Sequence, residues 1–384
     1  MIARSNTART AARRKSTRPP PTSTSEQMRF HVAGLPHTQT TKYYSSCAYT
    51  QKVRKFCDMM MSLGHEVYLY ASEDNEAACT ELITVASKAD QREWFGEKTL
   101  EDGFGWFNWN SNERHWLIAN ARTIAEISKR KQPRDIICAI GGGGQQPLGE
   151  AFPDLQTVEY GVGYSGVFSK YRVFESYSWM HAVHGARSSV QKIMSDRGQF
   201  YDTVIPNYFE VDDFPYSAEK DDYFLFIGRL IEAKGYQIAV DTCKRLDAKL
   251  VVAGAGRPPE YGEYVGVVDV EKRGELMSRA RGVFVPTLYL EPFGGVHAEA
   301  MLCGTPVITT DWGAFCETVQ QGVQGYRCRT MREFCDAAAS VDKLDYQGIR
   351  DYAVSKFSTE VAAKQYDYYF QRLQTLWGDG FYTI

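Results

Sequence analysis

Two acids eight positions apart, Glu291 and Glu299, flank the run Pro292-Phe-Gly-Gly-Val-His-Ala298. Proline lacks the backbone N–H and glycine loses the most conformational freedom, so Pro292 and the Gly294-Gly295 pair forbid one continuous helix here. Glu291 therefore belongs to a loop, and Glu299 lies about a turn into the following helix. Phe293, Gly294, Gly295 and Val296 place exposed N–H groups between the two acids. A carboxylate accepts two hydroxyls at once, so the pair suits a sugar hydroxyl and a ribose diol. Two solvated acids flanking a turn are the plainer alternative. That alternative explains neither the Gly-Gly pair nor the apolar Cys303-Gly-Thr-Pro-Val-Ile308 run that follows.

A second run, Gly228-Arg-Leu-Ile-Glu-Ala-Lys-Gly235, follows an apolar strand and opens a helix. Such a turn offers backbone N–H groups and the positive end of a helix, and Arg229 and Lys234 add two full charges. Together they suit a diphosphate. Solvation of both cations at a helix start is the equal alternative. No Asp-x-Asp occupies a suitable strand-end loop, so no metal site is expected.

The elements that must carry these runs alternate. In the first half, strands are expected at 28–34, 65–70, 135–140, 157–160, 180–184 and 204–207, with helices at 49–63 and 119–131. The pattern restarts with strands at 223–228, 249–254, 265–268, 282–286 and 306–309, and helices at 236–246, 270–280 and 295–302. Two such sets predict two doubly wound α/β domains, each binding ligands beyond the carboxyl ends of its strands. At 384 residues, two domains are also the default for length. The expected division is a basic tail over 1–27, a first domain over 28–208, a second over 209–355, and a terminal helix segment over 356–384.

The tail holds Arg4, Arg9, Arg13, Arg14, Lys15 and Arg18 against Glu26, a net of +5, which leaves −8 on the rest of a chain of net charge −3. Rich in Pro, Ser and Thr and nearly without apolar residues, it reads as disordered. An organellar transit peptide, a nucleic-acid or membrane tether and an idle tail are its alternatives. No stretch approaches the roughly 18 apolar residues of a transmembrane helix. Nine scattered cysteines without Cys-x-x-Cys spacing read as free thiols of a cytoplasmic protein.

The Glu-Pro-Phe-Gly run with its second Glu, the Cys-Gly-Thr-Pro-Val-Ile run, the upstream Phe226-Ile-Gly-Arg-Leu-Ile-Glu-Ala-Lys-Gly235 and Ile205-Pro-Asn207 together resemble the signature of glycosyltransferase family 4. The match covers about residues 204–375. It implies a retaining transferase of GT-B fold, two Rossmann-like domains facing across a cleft. It further implies a nucleotide-sugar donor, a UDP-sugar being expected, with neither metal nor other cofactor. Position by position, Arg229 and Lys234 would hold the diphosphate, Glu299 the ribose, and Glu291 would lie at the transferred sugar. The backbone of Phe293 to Val296 would surround sugar and phosphate, Val265 would flank the base, and the terminal helix would cross back onto the first domain.

The likeness fades in the first half. Family members often carry a histidine after a first-domain strand, but Val158-Glu-Tyr-Gly-Val-Gly-Tyr164 has none; His181 and His184 come in the next expected strand. Glu159, Tyr160 and Tyr164 are candidates for that place. The acceptor side is expected to draw on His37, Thr38 and Lys42 after the first strand. It is also expected to draw on Gln145 after the Gly141–Gly144 run, on Tyr164, and on Trp106 in the aromatic-rich 104–109 segment. The glycine run lacks the Lys-Ser/Thr of a phosphate loop, and the aromatics read equally as a lid packed on its own domain.

The Gly34-Leu-Pro-His-Thr-Gln-Thr-Thr41 loop also loosely resembles bacteriophage-encoded glycosyltransferases, some of which act on hydroxymethylated pyrimidines in DNA. A DNA acceptor would account for the basic tail, against which stands the −8 of the remainder; for a phage enzyme the compartment would be the host cytoplasm. Saccharide, lipid-linked and small-molecule acceptors are the alternatives. So are a GT-B protein that binds nucleotide-sugar without transfer, a GT-B epimerase, and a nucleic-acid-binding module acting through its tail. Oligomeric state is not legible.

Overall fold

A computed structural model describes residues 26–45, 47–97, 108–187 and 201–377. The first sheet comprises β1 (Arg29–Ala33), β2 (Glu66–Ser72), β3 (Glu81–Ala86), β4 (Ile136–Ala139), β5 (Gln156–Val162), β6 (Tyr171–Phe174) and β7 (Thr203–Val204). The second comprises β8 (Phe224–Ile227), β9 (Leu250–Ala253), β10 (Glu263–Tyr264), β11 (Gly282–Val285), β12 (Val307–Thr310) and β13 (Gly325–Cys328). Their orders are β3-β2-β1-β4-β5-β6-β7 and β10-β9-β8-β11-β12-β13, with parallel pairing throughout. Central strands such as β4 (Ile-Ile-Cys-Ala) and β11 (Gly-Val-Phe-Val) are apolar throughout and wholly buried, as a sheet covered on both faces requires.

The first domain's helices are α1 (Ala48–Ser62), α2 (Lys88–Phe95), α3 (Arg114–Arg130), α4 (Gln146–Ala151) and α5 (Tyr177–Arg187). The remainder are α6 (Tyr236–Leu246), α7 (Val270–Arg279), α8 (Gly295–Leu302), α9 (Phe315–Thr318), α10 (Met331–Ala338), α11 (Tyr346–Phe357) and α12 (Thr359–Gln374). Strand order reverses between β1 and β4 and between β8 and β11. Those switch points open crevices at the carboxyl ends, where Gly34, Gly141, Gly228 and the 287–294 loop lie.

Two expected strands are corrected. Residues 180–184 belong to α5, and the strand before them is Tyr171–Phe174. The Ser176 hydroxyl accepts the Trp179 N–H at 3.1 Å and starts the helix. The strand expected at 265–268 is the two-residue β10 just before it, because Gly266 at φ +78° ends the extended run. The short strands β3, β6 and β13 have no counterpart in the sequence reading.

Two chain crossings join the halves and bond to each other: the Phe209 N–H donates to the Phe357 carbonyl at 2.8 Å, and Thr359 N–H to Phe209 at 3.1 Å. Ser358 separates α11 from α12, its hydroxyl accepting the Val361 N–H at 3.3 Å. Helix α12 then returns to the first domain, where Phe370 packs edge-on against Phe30 at 4.7 Å within one core that includes Phe56 and Tyr366. Among the described residues no helix is long and apolar enough to cross a membrane.

Candidate functional site

Strand β8 ends at Ile227, just before Gly228, and a single 3-10 turn, Glu232–Lys234, leads to Gly235 and α6. Gly235 sits at φ +68°, where a Cβ would collide with the Pro286 carbonyl; only glycine lets this turn lie against the end of β11. That approach brings Lys234 to the loop after β11. Its Nζ lies 2.8 Å from Glu291 Oε2, and the Tyr289 hydroxyl donates to Glu291 Oε1 at 3.1 Å. Burial alone would lower the Lys234 pKa, but the adjoining carboxylate more than offsets it and the ammonium is held above its ordinary value. Arg229, two residues past the strand, is exposed and makes no ion pair with any described residue.

Gly294 caps α8 in the left-handed region at φ +79°. A Cβ there would lie 2.9 Å from both Glu291 Cγ and the Phe315 ring. The loop is anchored from within by His297, a residue the sequence reading passed over. Fully buried among Phe293, Phe315 and Phe357, its Nδ1 lies 2.5 Å from the Gly294 carbonyl oxygen. Burial pushes its pKa down to about 4, so the ring is neutral and Nδ1 carries the proton it donates. The spacing from Gly294 to His297 is the one signal that marked it. Phe293 is itself core and does not line the cavity between the domains, whereas Gly295 and Val296 do.

Glu291 and Glu299 are each 7% exposed. Glu299 Oε2 stands 3.4 Å from Arg273 Nε, yet neither atom has a hydrogen-bond partner. Glu299, Arg273 and Gly295, though not Glu291, line this cavity of about 530 Å³, closed on the other side by α1. There Lys42 and Lys55 face it. Burial lowers the Lys55 pKa to about 8, with Glu210 and Glu299 opposing, and its Nζ donates to the Tyr208 carbonyl at 3.1 Å. Val265 does not line this cavity; it packs against the second domain's core.

The first-domain candidates fare unevenly. Lys42 is exposed at the cavity, 3.6 Å from Glu210. Thr38 is buried, its hydroxyl 2.5 Å from that of Thr50. His37 is buried as well, and desolvation followed by the charge of His115 lowers its pKa to about 3. Gln145 is withdrawn from any ligand: its amide accepts the N–H groups of Ile140 and Gly141 at 2.9 and 2.7 Å and donates to Gly34 at 2.9 Å, tying β4 to β1. Trp106 lies outside the described residues.

Glu159 likewise faces inward. It accepts from Phe168 N–H, Ser169 N–H and the Tyr164 hydroxyl at 2.9, 2.8 and 3.0 Å, and burial raises its pKa to about 6. Tyr160 stacks on Phe56 at 4.2 Å inside the core, whereas the half-buried Tyr164 ring meets Tyr49 at 5.9 Å. His181 is exposed, and His184 is 2.7 Å from Asp202.

Solved structures match this arrangement over nearly its whole length. A glycosyltransferase involved in avilamycin A biosynthesis superposes with a TM-score of 0.64 at 18% identity, covering 90% of this chain and 98% of its own. Anabaena HepE, solved in complex with UDP and glucose, gives 0.59 at 14% identity, covering 89% and 98%. The fold is GT-B.

Residues 221–343 match the family model for glycosyl transferases group 1. An uncharacterized glycosyltransferase of Methanocaldococcus jannaschii is 30% identical over 165 residues, 38% of this chain and 42% of that protein. Glycogen synthase of Mycobacterium tuberculosis is 30% identical over 161 residues, 36% and 38% of the two chains. The alignments thus span about two fifths of the length of these curated relatives.

Proposed function

We propose that this chain is a retaining glycosyltransferase of family 4 type that moves a sugar from a nucleotide-sugar, a UDP-sugar in the first instance, to a hydroxyl acceptor without a metal ion. The observation that carries this reading is the Lys234–Glu291 pair and the Gly294–Gly295 start of α8, next to a 530 Å³ cavity between two domains that Gly295, Val296 and Glu299 line. In this reading the bond from the sugar's C1 to the diphosphate breaks as the acceptor oxygen bonds to C1, and the acceptor's hydroxyl proton passes to the departing diphosphate oxygen. Charge then gathers on the leaving diphosphate. Arg229, Lys234 and the α8 N-terminus are the donors that would stabilise it. Glu299 would take the ribose hydroxyls, its carboxylate turning from Arg273 toward the cavity that both residues line. UDP as the nucleotude is favoured by the UDP complex of HepE, a protein of the same fold.

For the acceptor, a hydroxyl is as far as the site's chemistry reaches, with 5-hydroxymethylpyrimidine in DNA one candidate beside saccharides and lipid-linked sugars. The test is incubation of the protein with a mixture of nucleotide-sugars, with and without hydroxymethylated DNA, a saccharide panel and lipid-linked acceptors. Mass spectrometry then identifies the donor consumed and the product gained. Release of nucleoside diphosphate is the expected result. Binding of nucleotide-sugar without consumption across the acceptor panel would replace this reading with that of a binder.

A further inference from the structure

Two charged side chains lie deep between the domains, one of them, Lys52, on the first-domain wall of the cavity. Lys52 on α1 and Glu175 just after β6 are 4% and 6% exposed and form an ion pair; Lys52 also donates to the Gly161 carbonyl at 3.2 Å. Burying two charges costs more than their attraction returns unless the geometry is tight, so such a pair is a poor device for stability alone. The backbone is shaped around it. Gly161 stands at φ +62°, where a Cβ would press on Lys52 Cδ at 3.1 Å, and a Cβ on Gly163 would overlap the Glu175 carboxylate. That same Cβ would lie 3.5 Å from Cβ of Pro292, the residue after Glu291. Glu175 therefore stands where the first domain touches the Glu291 loop.

Two residues further on, the start of α5 grips the second domain. The N–H groups of Tyr177 and Ser178 donate to the Glu317 carboxylate at 2.8 and 2.6 Å. The Ser178 hydroxyl lies within reach of Glu317 at 2.6 Å and of the Gly313 carbonyl at 3.1 Å. Gly313 and Ala314 pack in turn on the Glu291 backbone: Ala314 N–H donates to the Glu291 carbonyl at 3.2 Å, and a Cβ on Gly313 would come 2.9 Å from the Glu291 nitrogen. One short first-domain segment, 175–178, thus reaches Glu291 from two sides, through Pro292 and through Gly313.

We infer that Glu175, held by Lys52, and Ser178, acting through Glu317, are positioning residues that set where Glu291 stands against a sugar in the cleft. This rests on the glycosyltransferase reading. In that reading the nucleotide is held by Arg229, Lys234 and Glu299, to none of which Glu175, Ser178 or Glu317 bonds, and Lys52 stands on the opposite, first-domain wall, so nucleotide binding and sugar transfer should separate.

Glu317→Ala removes the clasp from an exposed position. The double variant Lys52→Met/Glu175→Gln removes both buried charges at nearly constant volume, leaving neither unpaired. For each, UDP affinity is measured by calorimetry and turnover with the nucleotide-sugar that the wild-type protein consumes. The expected result is UDP affinity and donor KM within about threefold of wild type and kcat lower by about tenfold or more, with partial recovery in Glu317→Asp. Wild-type kcat in Glu317→Ala and in the double variant would overturn the inference, as would equal losses of UDP affinity and kcat. Should the double variant not fold, Glu317→Ala decides alone. A wild-type protein that consumes no nucleotide-sugar would instead remove the glycosyltransferase reading, and the inference with it.

Discussion

Replacing Lys234 by methionine keeps the length and apolar stem of the side chain and removes its charge. The ammonium meets Glu291 Oε2 at 2.8 Å, with the two side chains 23% and 9% exposed. Without it, Glu291 retains only the Tyr289 hydroxyl. Breaking a fully buried pair costs about 3–5 kcal/mol; partial exposure and the surviving hydrogen bond reduce this to about 1–2 kcal/mol. For a domain of this size that is a fall of roughly 2–8 °C in Tm. Donor binding adds a separate effect, since a hydrogen bond to a charged group contributes about 1.5–3 kcal/mol. UDP affinity should therefore fall about 10- to 150-fold by calorimetric titration, and transfer should be lost. Glu291→Gln provides the contrast: Lys234 is released to the phosphates, so UDP affinity holds or rises while turnover drops. Lys234→Met that melts earlier yet binds UDP as tightly as wild type would refute the reasoning. Lys234 would then be a counter-ion to Glu291 and nothing more.

Glu299→Ala should weaken UDP binding about 10- to 100-fold through loss of two ribose hydrogen bonds; wild-type affinity by the same titration would remove Glu299 from the donor site. His297 makes a prediction about acid stability. Its pKa is about 4 in the folded chain against about 6.5 unfolded, so the unfolded state binds the extra proton between those values. Stability is full above pH 6.5 and declines as the pH falls toward 4, by about 3 kcal/mol from this residue. Denaturant unfolding of His297→Gln across that range should show a shallower slope than wild type, and parallel slopes would count against a neutral, donating His297.

Much of the second domain was legible in the sequence because its signals are local. Gly235 and Gly294 each occupy a backbone conformation that side chains resist, and each adjoins a strand end and a helix start within ten residues. Turn, strand and helix could therefore be placed from neighbouring residues alone, and with them Lys234, Glu291 and Glu299. The alternation of elements likewise predicted two parallel sheets. Short strands escaped: β6 and β13 each carry an arginine within four residues, unlike the wholly apolar four-residue strands β4, β8, β9 and β11, and the apolar residues over 180–184 in α5 fit either period.

In the first domain the decisive facts are long-range. Gln145 looked like a cleft residue from its place after a glycine run, but the chain folds its amide inward to β1, more than a hundred positions away. Glu159 was turned inward in the same way by Phe168 and Ser169. Conversely, nothing in the sequence joins Lys52 to Glu175; they become a pair only when α1 and the end of β6 meet, 123 residues apart in the chain. Nor does Glu317 announce a clasp until α5 is docked on it. The sequence by itself determined the fold class and where Lys234, Glu291 and Glu299 fall relative to strand ends and helix starts, because local backbone geometry and the order of elements are written in neighbouring residues. Which face each first-domain side chain presents, and how that domain reaches Glu291, only the packing of distant segments decided.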